Sequence, residues 1–227
     1  MSFYSVKLKD KKEIARETTA FFFEKPNNFK FISGQFIELH LDKNLVHTFS
    51  IASSPKEKEL MIATIMRLSA FKKSFKKLKI DSRVKIDGPF GQFVLHNNKK
   101  IPTVLLAGGI GITPFRSMIK DSTNRKIILF YSNRREKDAA FLKELKELEK
   151  QNKSFRMIAM MTKEEPKNWQ GLRSHINSKI IKGNFKDWQK AVYYAVGSAG
   201  FVQAMANLLS EMKIKPEKIK TENFSGY

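Results

Sequence analysis

LLAGGIGITP, residues 105–114, places Gly108, Gly109 and Gly111 between an apolar run and a helix start. The run PTVLLAGG has the unbroken apolar character of a strand buried on both faces of a parallel sheet. Downstream, Thr113 can cap a helix and Pro114 suits its first position. Glycine serves where backbone approaches a ligand closely or takes positive φ, and the free N–H groups of a helix N-terminus attract phosphate. Pro114 stands where a GxGxxG fingerprint has its third glycine, so the turn is not that fingerprint, and a tight ligand-free strand–helix turn accounts for the same residues. YYAVGSAGFVQAM, residues 193–205, repeats the grammar with Gly197 and Gly200. Two such turns at the carboxyl ends of parallel strands make the crevice in which open α/β sheets bind ligands.

Around these turns the pattern is strand, helix, strand. KIILFYSN (126–133), SFRMIAMMT (154–162) and AVYYAVG (191–197) read as buried strands. Phe141, Leu145 and Leu148 mark one amphipathic helix, and Val202, Met205, Ala206, Leu209 and Met212 a last one. Before the polar break HNNKK (96–100) the rhythm is different. GQFIELHLD (34–42) alternates strictly, and TAFFFEKP (19–26), VHTFSIA (46–52), LMIATIM (60–66) and RVKIDG (83–88) have strand composition between turn residues. The expectation is an antiparallel barrel or sandwich over residues 1–97 followed by an α/β domain with a parallel sheet over 98–227.

Composition narrows the function. Lysine and arginine number 43 against 22 acidic residues, a net charge of +21 that attracts acidic proteins, polyanions and anionic surfaces alike. The absence of cysteine removes disulfides, thiol catalysis and Cys-ligated iron–sulfur or zinc sites. The charged start MSFYSVKLKDKK has no signal-peptide core, and no apolar stretch is long enough to span a bilayer, so the sequence reads as cytoplasmic. His40, His96 and His175 lack metal-ligand spacing and read as structural or surface residues.

HTFSIASSP (47–55), GPFGQFVL (88–95), AGGIGITPF (107–115), YSNRR (131–135), VGSAGFV (196–202) and ENFSGY (222–227) occur in an order that resembles ferredoxin–NADP reductase-type FAD-dependent oxidoreductases over essentially the whole chain. The resemblance implies an N-terminal FAD-binding antiparallel β-barrel followed by a Rossmann-like, parallel-sheet NAD(P)H-binding domain, hydride transfer from NADPH or NADH to flavin N5, and electron delivery to an acceptor. It implies that Phe49 packs along the flavin, that Ser50 offers a hydroxyl near N5, and that Ile51, Ala52 and Ser53 line the ring with backbone groups. His47 departs from the family's arginine, which neutralises the FAD pyrophosphate; Arg67, Ser69 and Lys72 are the candidates to compensate. Gly108, Gly109, Gly111, Thr113 and Gly197 match the nucleotide turns, and Arg134 and Arg135 could grip a 2′-phosphate. Family members stack a C-terminal aromatic on or near the flavin, which nominates Tyr227 and Phe224, with Glu222 as a nearby carboxylate.

The stretch SAFKKSFKKLK (69–79) is, by itself, a basic amphipathic helix. In the resemblance it becomes the short helix whose N-terminus cradles the pyrophosphate, leaving Lys73, Lys76, Lys77 and Lys79 for solvent or an acidic partner. An acidic electron-acceptor protein is the expected partner. Two other readings stand beside the reductase: a basic nucleic-acid- or membrane-surface-binding module, and a non-autonomous electron-transfer subunit of a larger complex. Against the first, the lysines are spread through both halves without an RNA-binding aromatic signature.

Overall fold

A computed structural model of the chain describes residues 3–67, 69–164 and 167–224. It comprises two compact units, one of Met1–Leu95 with Thr113–Asp121, the other of His96–Ile112 with Ser122–Tyr227.

The first unit carries six strands: β1 (Tyr4–Ala15), β2 (Thr18–Glu24), β3 (Phe36–His40), β4 (Val46–Ser50), β5 (Glu59–Ile65) and β6 (Arg83–Phe90). Their order is β4-β3-β6-β1-β2-β5, with every neighbouring pair antiparallel. The two edges meet where the chain leaves β4, because Ala52 N donates to Met61 O of β5 at 2.7 Å. That bond closes the sheet on itself and leaves no free edge there. The interior holds Val6, Leu8, Phe21, Phe23, Ile37, Leu39, Leu60, Ile62 and Ile86. Helix α1 (Ala70–Lys77) closes one end: Phe71 and Phe75 are buried, and Phe75 stacks on Phe21 with ring centroids 3.8 Å apart.

Strand β1 is absent from the sequence reading, and its composition explains why. Residues Lys9 to Glu13 are exposed and charged; Val6 and Leu8 of the strand are buried in the core, and Tyr4 packs against it. Charge masks the alternation, whereas pairing with β2 and β6 secures the strand. In the chain leading to α2 (Ile112–Asp121), a 3₁₀ turn over Gly109–Gly111 starts the helix before Thr113. Thr113 is therefore buried inside the first turn rather than standing as its cap.

The second unit is a parallel sheet ordered β11-β10-β7-β8-β9. Its strands are β7 (Thr103–Gly108), β8 (Ile127–Asn133), β9 (Phe155–Met161), β10 (Val192–Gly197) and β11 (Ile219–Asn223). Helices α3 (Leu142–Gln151), α4 (Ser178–Asn184) and α5 (Ala199–Glu211) accompany them. Val104, Leu106, Phe130, Met160 and Tyr193 share a core with Met205 and Leu209 of α5 and Ile181 of α4. Neither α4 nor β11 is visible as a pattern in the sequence. Strand β11, IKTEN, is polar because it lies at the sheet edge, and it is held by its register with β10, Tyr193 facing Ile219. Phe141 is expected inside a helix but sits just ahead of α3 with φ of 59°. His96 is a structural residue: its N–H donates to Tyr194 Oη at 2.7 Å, and the Arg125 guanidinium approaches its Nε2 at 2.8 Å.

Candidate functional site

In the first unit the candidate residues converge at the α1 end of the barrel. His47 and Phe49 lie two apart on β4, so period-two alternation puts both side chains on one face. Their rings stack at 4.7 Å, and Phe71 of α1 lies 5.3 Å from His47 and 5.7 Å from Phe49. Ser69 caps α1 by accepting from Lys72 N at 3.1 Å. Lys72 turns inward; its Nζ lies 5.2 Å from the Phe49 ring centre and donates to Thr64 Oγ1 of β5. Only 8% of Lys72 is exposed, and desolvation lowers its ammonium pKa to about 8. His47 is held below its usual value, first by desolvation, while its bond to the Thr48 carbonyl pulls the other way and the Lys72 charge adds to the lowering.

A buried ammonium beside a hydroxyl and an aromatic ring carries uncompensated positive charge, which is the environment an anionic phosphate group stabilises. The residues present therefore fit the diphosphate of FAD, which Lys72, the α1 N-terminus and exposed Ser69 would hold. Arg67 is exposed just ahead of the cap, and its carbonyl accepts from Ser69 N.

Ser50 is buried at the end of β4, and Ile51 and Ala52 are fully buried. The backbone groups that follow are already engaged. Ile51 N donates to Gln35 O, Ser53 N to Met61 O, and Met61 N to Ser53 Oγ. Ala52 O accepts from Arg116 Nη1 at 2.8 Å, and Ser53 O from Ser117 Oγ at 2.6 Å. Behind them stands a residue that sequence reasoning missed. Glu57 accepts from both guanidinium nitrogens of Arg116, at 2.9 and 3.0 Å, from Lys120 Nζ at 3.0 Å, and from Ser54 N at 2.6 Å. These donors hold its carboxyl at about 2 against the opposing cost of burial. The only signal in the sequence is SSPKE followed some sixty residues on by FRSMIK, a pairing that no local spacing reveals.

In the second unit the glycine turns lie together at the carboxyl ends of β7 and β10, each glycine for its own reason. Gly109 has φ of 54° and open space around an added Cβ, so conformation requires it and its backbone faces outward. A Cβ on Gly111 would lie 2.4 Å from Val196 O, so close packing requires it. Gly108 and Gly197 both abut the ring of Phe201. Around this rim two buried polar groups lack partners: both side-chain atoms of Asn133, at the end of β8, and Glu222 Oε2, beside Val196 on β11. Burial pushes the Glu222 carboxyl up to about 7. Phe224 N donates to Gly197 O at 3.0 Å and fastens the strand end to the turn. Orphaned polar atoms around an open glycine turn fit a nucleotide.

Arg134 and Arg135 are exposed after β8. Arg135 lines a cleft of about 500 Å³ with Glu136, Lys137, Glu164 and Asn168. Tyr227 lies outside the described residues. Among the described residues no group of His, Asp or Glu has the arrangement of a metal site, and no helix is long and apolar enough to cross a membrane.

Residues 5–95 match the family model described as Oxidoreductase FAD-binding domain, and residues 105–207 the one described as Oxidoreductase NAD-binding domain. The chain is 26% identical over 210 residues to the Na(+)-translocating NADH-quinone reductase F subunit of Idiomarina loihiensis, covering 84% of this chain and 51% of that protein. The Pseudomonas aeruginosa counterpart is 26% identical over 205 residues, covering 82% and 50%. The chain thus spans about half the length of the curated relatives it matches. Among solved structures, a ferredoxin NADP+ reductase from Neisseria gonorrhoeae with bound FAD and NADP superposes with a TM-score of 0.83 at 18% identity, covering 98% of this chain and 99% of that one. The Amycolatopsis cytochrome P450 reductase GcoB gives 0.84 at 20% identity, covering 98% and 70%. With both family models in chain order on the two units that carry the sites, the chain belongs to the ferredoxin–NADP reductase-type family of FAD- and NAD(P)-binding oxidoreductases.

Proposed function

We propose that this protein takes reducing equivalents from NADPH or NADH through FAD and delivers them to an acceptor outside these 227 residues. The carrying observation is the buried Lys72 ammonium at the barrel end, a charge that an FAD diphosphate offsets. When bound, the flavin supplies the chemistry, accepting a hydride and releasing electrons singly or in pairs. The chain supplies position. Lys72, Ser69, Arg67 and the α1 N-terminus hold the diphosphate in place of the arginine that His47 replaces. Phe49 gives the ribityl side an apolar wall, and Ser50 offers its hydroxyl to the ring edge. Gly109 presents open backbone to the nucleotide, alongside Thr113 and the turn at Gly197. Glu222, Phe224 and Tyr227 belong to the nicotinamide end, where a carboxyl with a pKa of about 7 can hold or release a proton at working pH.

Arg134, and Arg135 with Lys137 in the cleft, favour a 2′-phosphate, whereas Glu136 and Glu164 of that cleft oppose one. Stopped-flow reduction of the FAD-loaded protein by NADPH and by NADH reads that balance directly. A yellow protein reduced by at least one of them supports the function; a colourless chain that takes up no FAD, or a flavin that neither nucleotide reduces, overturns it.

The acceptor is proposed to be acidic, because a +21 chain meets such a partner faster than a neutral one would. A second reading, an electron-transfer component of a larger assembly, draws on the name of the relatives, which are subunits of a quinone reductase. Co-purification at native levels separates a stable assembly from a freely diffusing reductase.

A further inference from the structure

The five strands of the second sheet are parallel, so all of them begin at one end, opposite the glycine turns. Register makes that end level. Val192, Thr103, Ile127 and Phe155, the first residues of β10, β7, β8 and β9, are successive cross-strand partners. Ile219, the first of β11, pairs with Tyr193, one step further along β10. The chain entering each strand is basic. Segments 96–102, 122–126, 152–154, 185–191 and 212–218 hold ten lysines and arginines against two acids, Asp187 and Glu217, where the whole chain has 43 against 22. Across the sheet from β11 to β9, the exposed members include Lys215, Lys190, Lys99, Lys100, Lys126 and Lys153, at least one ahead of every strand. At the usual strand spacing the row is about 20 Å wide. Asp187 pairs with Lys190 at 3.1 Å and Lys126 at 3.5 Å, and Lys182 Nζ lies 4.9 Å from the ring centre of half-buried Trp188. A lysine at a helix C-terminus offsets the helix dipole, but Lys99 and Lys100 follow β6 with no helix between.

We propose that this end of the parallel sheet is a docking face for an anionic lipid surface. A broad, level row of ammonium groups suits a planar partner of opposite charge. Each lysine held near an anionic bilayer strengthens adsorption about fivefold, so several acting together suffice without an inserted segment. Trp188 at the same end is the kind of side chain that settles at headgroup level. Distance argues against the electron acceptor as the occupant. The row lies about 17 Å from the glycine turn, the length of β7 (Thr103–Gly108), so a redox partner seated on it would be at the opposite end of the strands from the nucleotide turns. Single-stranded nucleic acid needs open ring faces on which bases stack. Here Phe185 is buried and Trp188 half-buried, and Lys126 and Lys182 lie over their rings.

The test is co-sedimentation of the full chain with two kinds of vesicle, phosphatidylcholine alone and phosphatidylcholine with about a third phosphatidylserine. At about 0.1 M salt the anionic vesicles should hold at least about tenfold more protein than the neutral ones, and about 0.5 M salt should release it. Two independent pairs of substitutions probe the face: Lys99→Glu with Lys100→Glu at its centre, and Lys153→Glu with Lys215→Glu at its two edges. All four side chains are exposed, so each pair should melt within about 2 °C of wild type. Each should weaken vesicle binding about tenfold or more. Lys76→Glu with Lys77→Glu on α1 changes the net charge equally and should cost less than about threefold. A wild-type chain with no preference for anionic vesicles overturns the proposal. Equal losses in all three pairs also overturn it, because net charge and not this face would then be responsible. Face variants that keep vesicle binding but lose binding to a single-stranded polynucleotide, or slow the reduction of an acidic acceptor protein, would assign the row to that partner and overturn it as well.

Discussion

Lys72 carries the clearest residue-scale consequence. Its ammonium is desolvated in the barrel end with a pKa of about 8, while Lys76 on the same helix is exposed. Lys72→Ala should weaken FAD binding about tenfold or more, and Lys76→Ala less than about twofold, read by quenching of flavin fluorescence. The sign of the pH effect follows from proton linkage. Below pH 8 the amine is already charged, and above it the diphosphate must draw in a proton. Affinity for FAD should therefore fall as pH rises from 8 towards 10, by up to about tenfold per unit, and this slope should vanish in Lys72→Ala. Glu222 has the opposite disposition, a carboxyl raised to about 7 by burial. Between its unfolded value near 4.5 and 7, the unfolded chain ionises while the folded one does not, so stability drops with rising pH across that window. Glu222→Gln should melt higher than wild type at pH 8, by roughly 1–2 kcal/mol, with the gap closing at pH 5.

At the scale of elements, the loop after β4 and helix α2 are tied through one carboxylate. Glu57 joins Ser54, Arg116 and Lys120, and Arg116 is almost fully buried. Glu57→Ala leaves that guanidinium without its counter-charge and should cost about 3 kcal/mol in chemical denaturation, with a smaller loss for Glu57→Gln. Because its pKa is depressed to about 2, the stabilisation is present above pH 4.5 and is lost as pH falls towards 2. Elements also differ in how well they read from sequence. Strands β2, β3 and β5 announce themselves through apolar alternation or apolar runs, and α1 through Phe71, Phe75 and Leu78. Strand β1 hides behind its lysines and β11 behind edge polarity, since both are secured by partners distant in the chain.

Across the whole molecule the dominant physical quantity is charge. At +21, reduction of an acidic acceptor protein should slow several-fold between about 50 and 300 mM salt, while reduction of a small neutral acceptor dye should change little. By itself the sequence determined the succession from barrel to parallel sheet, because strand alternation and glycine-ended apolar runs are local patterns written in period two and in turn chemistry. It also nominated His47, Phe49, Ser69 and Lys72 for the barrel site, and the tertiary structure gathers His47, Phe49 and Lys72 around Phe71, with Ser69 as the cap of the helix that carries Lys72. What only tertiary structure decided is which way side chains turn and what fills the space beside them. The inward turn of Lys72, the Arg116 grip on Glu57 and the Phe201 ring seated on Gly108 join residues from 8 to 93 positions apart. Such partnerships arise from packing in three dimensions, where contact depends on the register of whole strands, and so they leave no trace in the spacing of residues along the chain.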